Sequence, residues 1–503
     1  MRVAAQEPLP GQPQASRVKT GGALWRALSP YLLVTVAVLL AWLPSVYNYV
    51  PVADDFSLST MLQKGLGAWI DGLGVWRILG LVVPLWAVSL HPLALGLLAL
   101  LAHVAAVCCF YKVCRTLLGN SVLALILALA MGIFPWGYQA LLWASGLSPV
   151  LANSLFWLNI LVLLKYAGSA QAQRQAFIIC FGLTLLSLLT NDYLLFATLV
   201  SGVIIWLPAD GWSFAGARRR MLSRYSGWAP FLAGGAYLLM FRLLSAQAVS
   251  DYKRPFLNLR SILSVYYHQY SNAYVFQPWL NPVTRSFLFF SWGTTQIVSA
   301  LLLTAMLGAL LLYVVRRGGF DPGAARPGAN WLPYLMLLLL GASLVYALTG
   351  GYSLDTRKKY SLIPLLLLLA GWLWRRFVRS GPKASLWARL ALIVLITAGV
   401  STTWMVIGIW RYEVTRQALL VDYLAAHQLS GEIRLKSDPD LYAAWPQLNQ
   451  TMGFRLDDDW VLNTALAYRG ANPVKTNGAQ GSPLLSFDAA QFRWTIVPGG
   501  EGR

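Results

Sequence analysis

Long apolar runs that recur along most of the chain restrict its fold more than any other feature. A transmembrane helix needs roughly 20 apolar residues, and somewhat fewer when neighbouring helices cover its ends. Eleven runs meet this requirement, at 30–49, 92–111, 121–137, 149–164, 176–190, 193–207, 228–245, 286–315, 331–348, 361–374 and 390–410. The sequence therefore predicts an all-α polytopic membrane protein with about eleven transmembrane helices. A shorter run at 76–90 contains a proline and predicts an interfacial or re-entrant segment, with a twelfth span as the alternative.

Charged residues are distributed unevenly among the polar segments between these runs. If the N-terminus is cytoplasmic, the inner loops carry twice as many Lys and Arg residues as the outer loops. Cytoplasmic loops of membrane proteins show this excess. The net charge of +20 then follows mostly from topology and requires no nucleic-acid partner. Six acidic residues fall in the outer loops and three in the inner ones, so we expect any chemistry on the outer side.

Composition divides the chain into three parts. Residues 1–29 are polar and contain Pro and Gly, which predicts a disordered cytoplasmic N-terminus without a cleavable signal peptide. Residues 30–410 form the predicted transmembrane domain, with large outer loops at 50–77 and 246–285. Residues 411–503 have the composition of a soluble domain.

The C-terminal part has mixed periodicity. It predicts a small α/β domain outside the membrane, in which the first helix continues the last span. The helical patterns lie at 412–429, 440–452 and 458–468, and the strand-like runs at 432–436 and 492–497.

Asp54 and Asp55 follow the outer end of the first span almost immediately. A carboxylate held at a membrane surface can act as a general base, and a neighbouring carboxylate raises one of the two pKa values. Adjacent side chains point in different directions, so at most one of the two is the base. In the structural alternative, one of them caps a helix that begins near Leu58.

Two further polar groups are placed on the outer side. Asp192 lies in a turn after Asn191, where it is either a second acid facing the same cavity or a turn residue chosen for backbone reasons. Arg357, Lys358 and Lys359 precede a span on the side where cations are rare. They either anchor the helix to anionic lipid headgroups or bind a phosphate of a lipid-linked substrate.

The outer loop at 246–285 is rich in aromatic and polar residues. An aromatic belt at the membrane interface explains such a composition, and so does a surface whose rings stack on sugars. The residues that we expect to contact a sugar or an acceptor are Tyr266, Tyr267, His268, Tyr270 and Trp279.

The order of these features resembles the C-type glycosyltransferase superfamily of integral membrane enzymes. That order is a first span, an outer loop opening with Asp54-Asp55, helices lying flat on the membrane, many spans and an outer C-terminal domain. The resemblance covers most of 30–410 in layout and only a few residues in motif. It implies transfer of a sugar from a polyprenyl-phosphate carrier to a glycan, lipid or protein outside the cytoplasm.

The resemblance also implies roles for individual residues. Asp54 and Asp55 match the catalytic acids of the first outer loop, Asp192 matches a second acid in a later outer turn, and Arg357, Lys358 and Lys359 match the contacts to the carrier phosphate. Members of the superfamily differ in their use of metals, so the resemblance leaves the cofactor unknown, with a divalent cation as one option.

Three other functions stay open from the sequence, and one of them is a non-catalytic assembly subunit, in which Asp54 and Asp55 could be replaced without effect. An O-antigen polymerase or ligase has large outer loops of the kind found at 246–285. A transporter or lipid flippase needs polar residues within its spans, for which His103 is one candidate. We expect a location in the bacterial inner membrane, with the N-terminus in the cytoplasm, the C-terminus in the periplasm, and membrane lipids as partners.

Overall fold

The computed structural model describes most of the chain and leaves several stretches undescribed. The described residues are 20–46, 51, 54–119, 121–135, 137–166, 172–206, 214–245, 259–260, 263–264, 332–348, 356–377, 382–436, 459–476, 478–479, 481–488, 491 and 493–497. The predicted span at 286–315 and the predicted helix at 440–452 lie outside them.

The described residues are mainly helical. The first eight helices are α1 (Thr20–Val46), α2 (Asp54–Gln63), α3 (Leu66–Leu73), α4 (Ile78–Leu90), α5 (Pro92–Leu118), α6 (Ser121–Ile133), α7 (Tyr138–Leu142) and α8 (Ser148–Tyr166). The others are α9 (Gln173–Thr190), α10 (Leu195–Ser201), α11 (Phe214–Ser223), α12 (Ala229–Leu244), α13 (Leu332–Leu348), α14 (Thr356–Phe377), α15 (Pro382–Ala426) and α16 (Asp459–Tyr468).

Several of these helices have the length and apolarity of membrane spans. Among the described residues, five segments qualify, at Leu28–Val46, Pro92–Leu118, Ser148–Tyr166, Gln173–Thr190 and Tyr225–Leu244. Shorter apolar helices accompany them, at Ile78–Leu90, Ser121–Ile133, Asp192–Ile205, Leu332–Ala342 and Tyr360–Arg375. The protein is thus a multi-pass membrane protein, while the total of eleven spans stays a prediction.

The boundaries of α5 show how local sequence sets a helix. The imidazole Nδ1 of His91 accepts a hydrogen bond from the Leu93 amide at 3.1 Å, which caps the first turn. Pro92 follows at the first helical position, where its missing amide hydrogen costs nothing. Gly119 ends the helix with a left-handed backbone at φ 61°, a conformation that glycine adopts without strain.

Helix α1 packs against α5, α6 and α15. Its inward side carries fully buried residues at helical spacing, including Val34, Ala37, Val38 and Ala41. Gly96 of α5 lies so close to the C-terminal end of α1 that an added Cβ would stand 2.7 Å from the Val46 Cα. We call this end of the bundle, where α1 ends and α5 begins, the Asp55 end.

The apolar run predicted as a span at 193–207 is helical from Asp192 to Ile205 but is not α-helical throughout. A 3₁₀ turn at Asp192–Leu194 precedes helix α10, and a second 3₁₀ turn follows it at Gly202–Ile205. Gly202 meets the carbonyl of Gly227 so closely that no side chain fits between them.

The described C-terminal residues form short strands around a second apolar cluster. Strand β1 (Gly431–Glu432) pairs in parallel with β3 (Val474–Lys475), and β2 (Arg434–Leu435) pairs in parallel with β4 (Leu484–Asp488). Strand β4 pairs antiparallel with β5 (Arg493–Val497). The cluster joins the end of α15 to α16 and the strands through Leu420, Leu424, Leu462, Leu466, Leu485 and Trp494.

Candidate active site

Asp55 is a fully buried carboxylate at the Asp55 end of the bundle. Its exposed fraction is 0%, and its Oδ1 accepts a hydrogen bond from the backbone amide of Ser145 at 2.9 Å. Helix α2 begins at Asp54, so the structural alternative of a helix that begins near Leu58 is wrong. The contact with Ser145, 90 residues away in sequence, holds Asp55 instead. The side chain of Asp54 lies outside the described part of the structure.

The segment 137–147 supplies the amide that contacts Asp55. It contains the short helix α7 and then a turn, in which the amides of Gly146 and Leu147 donate to the carbonyls of Trp143 and Ala144, each at 3.1 Å. The turn is buried throughout. Because the neighbouring amides are used inside the turn, the Ser145 amide points outward to the carboxylate.

The same segment contacts the beginning of α14. Gly137 packs against Tyr360, and a Cβ added to Gly137 would stand 2.6 Å from the Tyr360 Cβ. The Tyr360 hydroxyl lies 2.6 Å from the Nδ1 of His103. The Oγ of Ser361 accepts a hydrogen bond from the amide group of Asn153 at 2.9 Å. Segment 137–147 therefore joins Asp55 to the first turns of α14.

The basic residues Arg357, Lys358 and Lys359 belong to the first turn of α14, which begins at Thr356. Their side chains lie outside the described part of the structure. Their backbone directly precedes Tyr360, which contacts Gly137. The backbone thus places the three predicted phosphate-binding residues within one helical turn of the segment that holds Asp55.

Asp192 forms an ion pair with Arg77. The Nε of Arg77 donates to the Asp192 Oδ1 at 2.9 Å, and the two side chains are only 11% and 10% exposed. The Arg77 guanidinium also lies 3.8 Å from the ring centroid of Tyr193. Burial lowers the pKa of Arg77, but attraction to Tyr193 and Asp192 outweighs it, so the pKa lies above its ordinary value and the cation stays charged.

The turn that carries Asp192 is tied to the start of α8. The side chain of Asn191 accepts from the Tyr193 amide at 2.9 Å, as expected of a turn residue. It also donates to the Ser148 hydroxyl at 3.0 Å. Because Ser148 lies three residues after Ser145, the two aspartates belong to the same end of the bundle.

Arg77 is the residue that sequence reasoning missed. The structure buries it between α3 and α4 with a left-handed backbone at φ 48°. Such a φ is uncommon for a residue other than glycine. The only local signal was its position directly before an apolar run.

Helix α2 contacts the C-terminal part of the chain as well. The rings of Phe56 and Tyr468 lie 5.3 Å apart, and the side chain of Gln63 reaches the Tyr468 hydroxyl at 3.5 Å. Residue 56 directly follows Asp55, so α2 lies between the bundle and α16. The predicted sugar or acceptor contacts Tyr266, Tyr267, His268, Tyr270 and Trp279 lie outside the described residues.

Metal-binding side chains are not grouped in the described part of the chain. No cluster of three or more His, Cys, Asp or Glu residues occurs among the residues that the structure describes. The question of a divalent cation therefore stays open, as it was from the sequence.

Comparison with known proteins yields one similar structure. No protein-family model matches the chain, and no curated protein matches it significantly. The structure is similar to the crystal structure of ArnT from Cupriavidus metallidurans bound to undecaprenyl phosphate, with a TM-score of 0.41 and 13% sequence identity over 97% of this chain and 100% of that chain.

Proposed function

We propose that this protein is an inverting glycosyltransferase that moves a sugar from a polyprenyl-phosphate carrier to an acceptor outside the cytoplasm. One observation carries the proposal. Asp55 is buried, and the Ser145 amide orients it. Ser145 belongs to segment 137–147, in which Gly137 packs against Tyr360. Tyr360 directly follows Arg357, Lys358 and Lys359. Segment 137–147 thus contacts both the candidate base and the start of the helix that carries the candidate phosphate-binding residues.

Asp55 is suited to remove a proton from an acceptor hydroxyl. The hydrogen bond from Ser145 is donated by a neutral amide, so it orients the carboxylate without cancelling its charge. Burial strengthens the electrostatic interactions of such a group, because water no longer screens them. A general base must also lie within hydrogen-bond reach of its proton, and a fixed orientation is the first requirement for that.

In the proposed reaction, Asp55 takes the proton of the acceptor hydroxyl. The acceptor oxygen then attacks the anomeric carbon from the face opposite the phosphate and forms the new glycosidic bond. The bond between the anomeric carbon and the phosphate oxygen breaks, and polyprenyl phosphate leaves with the electron pair. The configuration at the anomeric carbon is inverted as a result.

The basic turn of α14 is suited to the leaving group. As the bond to the sugar breaks, negative charge concentrates on the phosphate oxygens. Cations that stand at that position before the reaction stabilise this charge without reorganising. Arg357, Lys358 and Lys359 supply up to three positive charges within one helical turn.

The remaining assignments concern the acceptor and the location. We assign acceptor binding to residues 411–503 and to the loop at 246–285, and the contact between Phe56 and Tyr468 supports the first of these. The charge distribution in the sequence supports a cytoplasmic N-terminus and a periplasmic C-terminus in a bacterial inner membrane.

The test measures the release of polyprenyl phosphate by the purified full-length protein. The donors are a panel of polyprenyl-phosphate sugars, and a mixture of candidate acceptors is present. Wild type, Asp54→Asn and Asp55→Asn are compared, with Asp71→Asn as the matched control because Asp71 is an exposed acid on the neighbouring helix α3. We expect turnover by wild type and Asp71→Asn, inversion at the anomeric carbon of the product, and loss of turnover in Asp55→Asn. Full activity of Asp55→Asn, or a product of retained configuration, would refute the mechanism.

A further inference from the structure

A buried polar chain links the core of the bundle to the first turns of α14. His103 of α5 is 1% exposed, with its Nδ1 2.6 Å from the Tyr360 hydroxyl and its Nε2 2.9 Å from the Gly132 carbonyl oxygen. The indole of Trp42 donates to the same carbonyl at 2.8 Å. Buried polar groups of this kind are costly unless they are paired, so their pairing restricts the arrangement of the helices around them.

The direction of each hydrogen bond follows from the Gly132 carbonyl. A carbonyl oxygen only accepts, so the Nε2 of His103 carries a hydrogen and donates it. In a neutral imidazole the Nδ1 then accepts, and the Tyr360 hydroxyl donates its hydrogen to it. A neutral ring is the form that burial favours, because no acidic side chain contacts His103 among the described residues.

The chain is anchored at a tightly packed point. A Cβ added to Gly132 would stand 2.6 Å from a methyl carbon of Val38 and 3.1 Å from one of Val107. The carbonyl that orients His103 therefore cannot move freely. At the other end, Tyr360 is held through its hydroxyl by His103 and through its ring by Gly137.

We infer that His103 is a positioning residue of the proposed transferase: acting through Tyr360, it fixes the basic turn of α14 relative to Asp55. The inference rests on the proposed function, because the basic turn matters only if it binds the carrier phosphate. His103 touches neither substrate nor reacting atoms in this role. It sets the distance between the phosphate-binding turn and segment 137–147, whose Ser145 amide orients the base.

This role gives a kinetic signature. The basic turn binds the carrier phosphate in the ground state and its greater charge in the transition state, so its misplacement raises KM and also lowers kcat. One lost hydrogen bond then corresponds to a rise in KM of roughly fivefold to tenfold. We expect this in Tyr360→Phe and in His103→Leu.

Two further variants separate positioning from a general loss of stability. Because both groups act through one bond, the double variant His103→Leu/Tyr360→Phe should raise KM little more than either single change. His103→Gln keeps one donor and one acceptor and should recover part of the wild-type KM. The matched control is Thr403→Val, which removes a buried hydroxyl that donates to the Ile133 carbonyl at 2.6 Å, next to Gly132.

The experiment measures the KM and kcat of the full-length protein for its polyprenyl-phosphate sugar, together with amide hydrogen exchange over residues 356–361. We expect a higher KM and faster exchange in Tyr360→Phe, and neither change in Thr403→Val. Equal behaviour of the two variants overturns the inference. If wild type turns over no donor, the proposed function fails separately, and the exchange data alone then decide whether His103 and Tyr360 fix this turn.

Discussion

Two buried aspartates at the same end of the bundle accept hydrogen bonds of the same length from different donors. Asp55 accepts a hydrogen bond from the neutral amide of Ser145, and Asp192 pairs with the guanidinium of Arg77 at the same distance of 2.9 Å. Burial alone therefore does not identify a catalytic acid. The ion pair with the buried guanidinium of Arg77 engages the charge of Asp192 within the structure.

The two partners also have different structural consequences. The pair of Arg77 and Asp192 joins the start of α4 to the turn between α9 and α10, and each member neutralises the other. Removing one member leaves a buried charge without compensation, which destabilises a protein strongly. Asparagine at position 55 would keep a side-chain oxygen that accepts the Ser145 amide. We therefore expect activity to depend on Asp55 and stability to depend on Asp192.

The largest expected effect comes from Asp55→Asn. The Oδ1 of asparagine still accepts the Ser145 amide, but asparagine cannot take a proton from the acceptor. Loss of a general base lowers kcat by roughly 10²- to 10⁴-fold. We expect that loss with an unfolding midpoint unchanged from wild type, measured by tryptophan fluorescence in detergent. A kcat within threefold of wild type would mean that the contact with Ser145 is only structural.

The second effect is a loss of stability in Arg77→Met and in Asp192→Asn. Breaking a buried ion pair costs about 3 kcal/mol, and the double variant Arg77→Met/Asp192→Leu should recover most of it. Activity per folded molecule should stay close to wild type. The matched control is Arg469→Met, because the pair of Arg469 and Asp422 is 56% and 53% exposed and contributes less than about 1 kcal/mol. A large loss of kcat in Asp192→Asn at wild-type stability would refute the structural role of Asp192 and indicate that it is a second functional acid.

A third change, Gly137→Ala, should lower both activity and stability. In Gly137→Ala the new methyl group meets the Tyr360 side chain at 2.6 Å, so segment 137–147 must shift away from α14. Overpacking of this kind costs about 1–2 kcal/mol, and here it also displaces the Ser145 amide from Asp55. We expect both the unfolding midpoint and kcat to fall.

The control for this change is Gly182→Ala in the middle of α9. No atom lies within 4 Å of the added Cβ there, so we expect it to leave kcat unchanged and stability equal or higher. If Gly137→Ala behaves like Gly182→Ala, segment 137–147 does not transmit the position of α14 to Asp55.

Local sequence signals predicted several features of the fold correctly. The start of the span at 92, the helix at 458–468 and the final strand at 492–497 agree with Pro92–Leu118, Asp459–Tyr468 and Arg493–Val497 in the structure, although α5 extends seven residues beyond the predicted end at 111. Each depends on capping residues or on the period of apolar positions, which short stretches of sequence contain. The helical pattern after Tyr412 likewise continues the last span, because α15 runs without a break to Ala426.

The contacts of the candidate site were not predictable in the same way. Arg77 and Asp192 are 115 residues apart, and neither belongs to a motif that names the other. The donor to Asp55 is a backbone amide, which every residue except proline possesses, so the sequence contains no trace of its role. Asp55 could be proposed as an acid from its position in the sequence, but its partner could be identified only from the way segment 137–147 packs in the structure.

We expect the smallest effect from Ser145→Ala, which tests whether Asp55 is contacted by the backbone amide of Ser145 alone and not by its hydroxyl. The bond to Asp55 comes from the backbone, so removing the hydroxyl should leave it intact. The Ser145 hydroxyl oxygen is buried and contacts no hydrogen-bonding group of the described residues, so its loss should not destabilise the protein. We expect kcat within twofold of wild type and an equal or slightly higher unfolding midpoint, measured alongside Asp55→Asn. A tenfold loss of kcat would show instead that the hydroxyl itself acts in the site, and the contrast between an amide-held Asp55 and a cation-held Asp192 would then be incomplete.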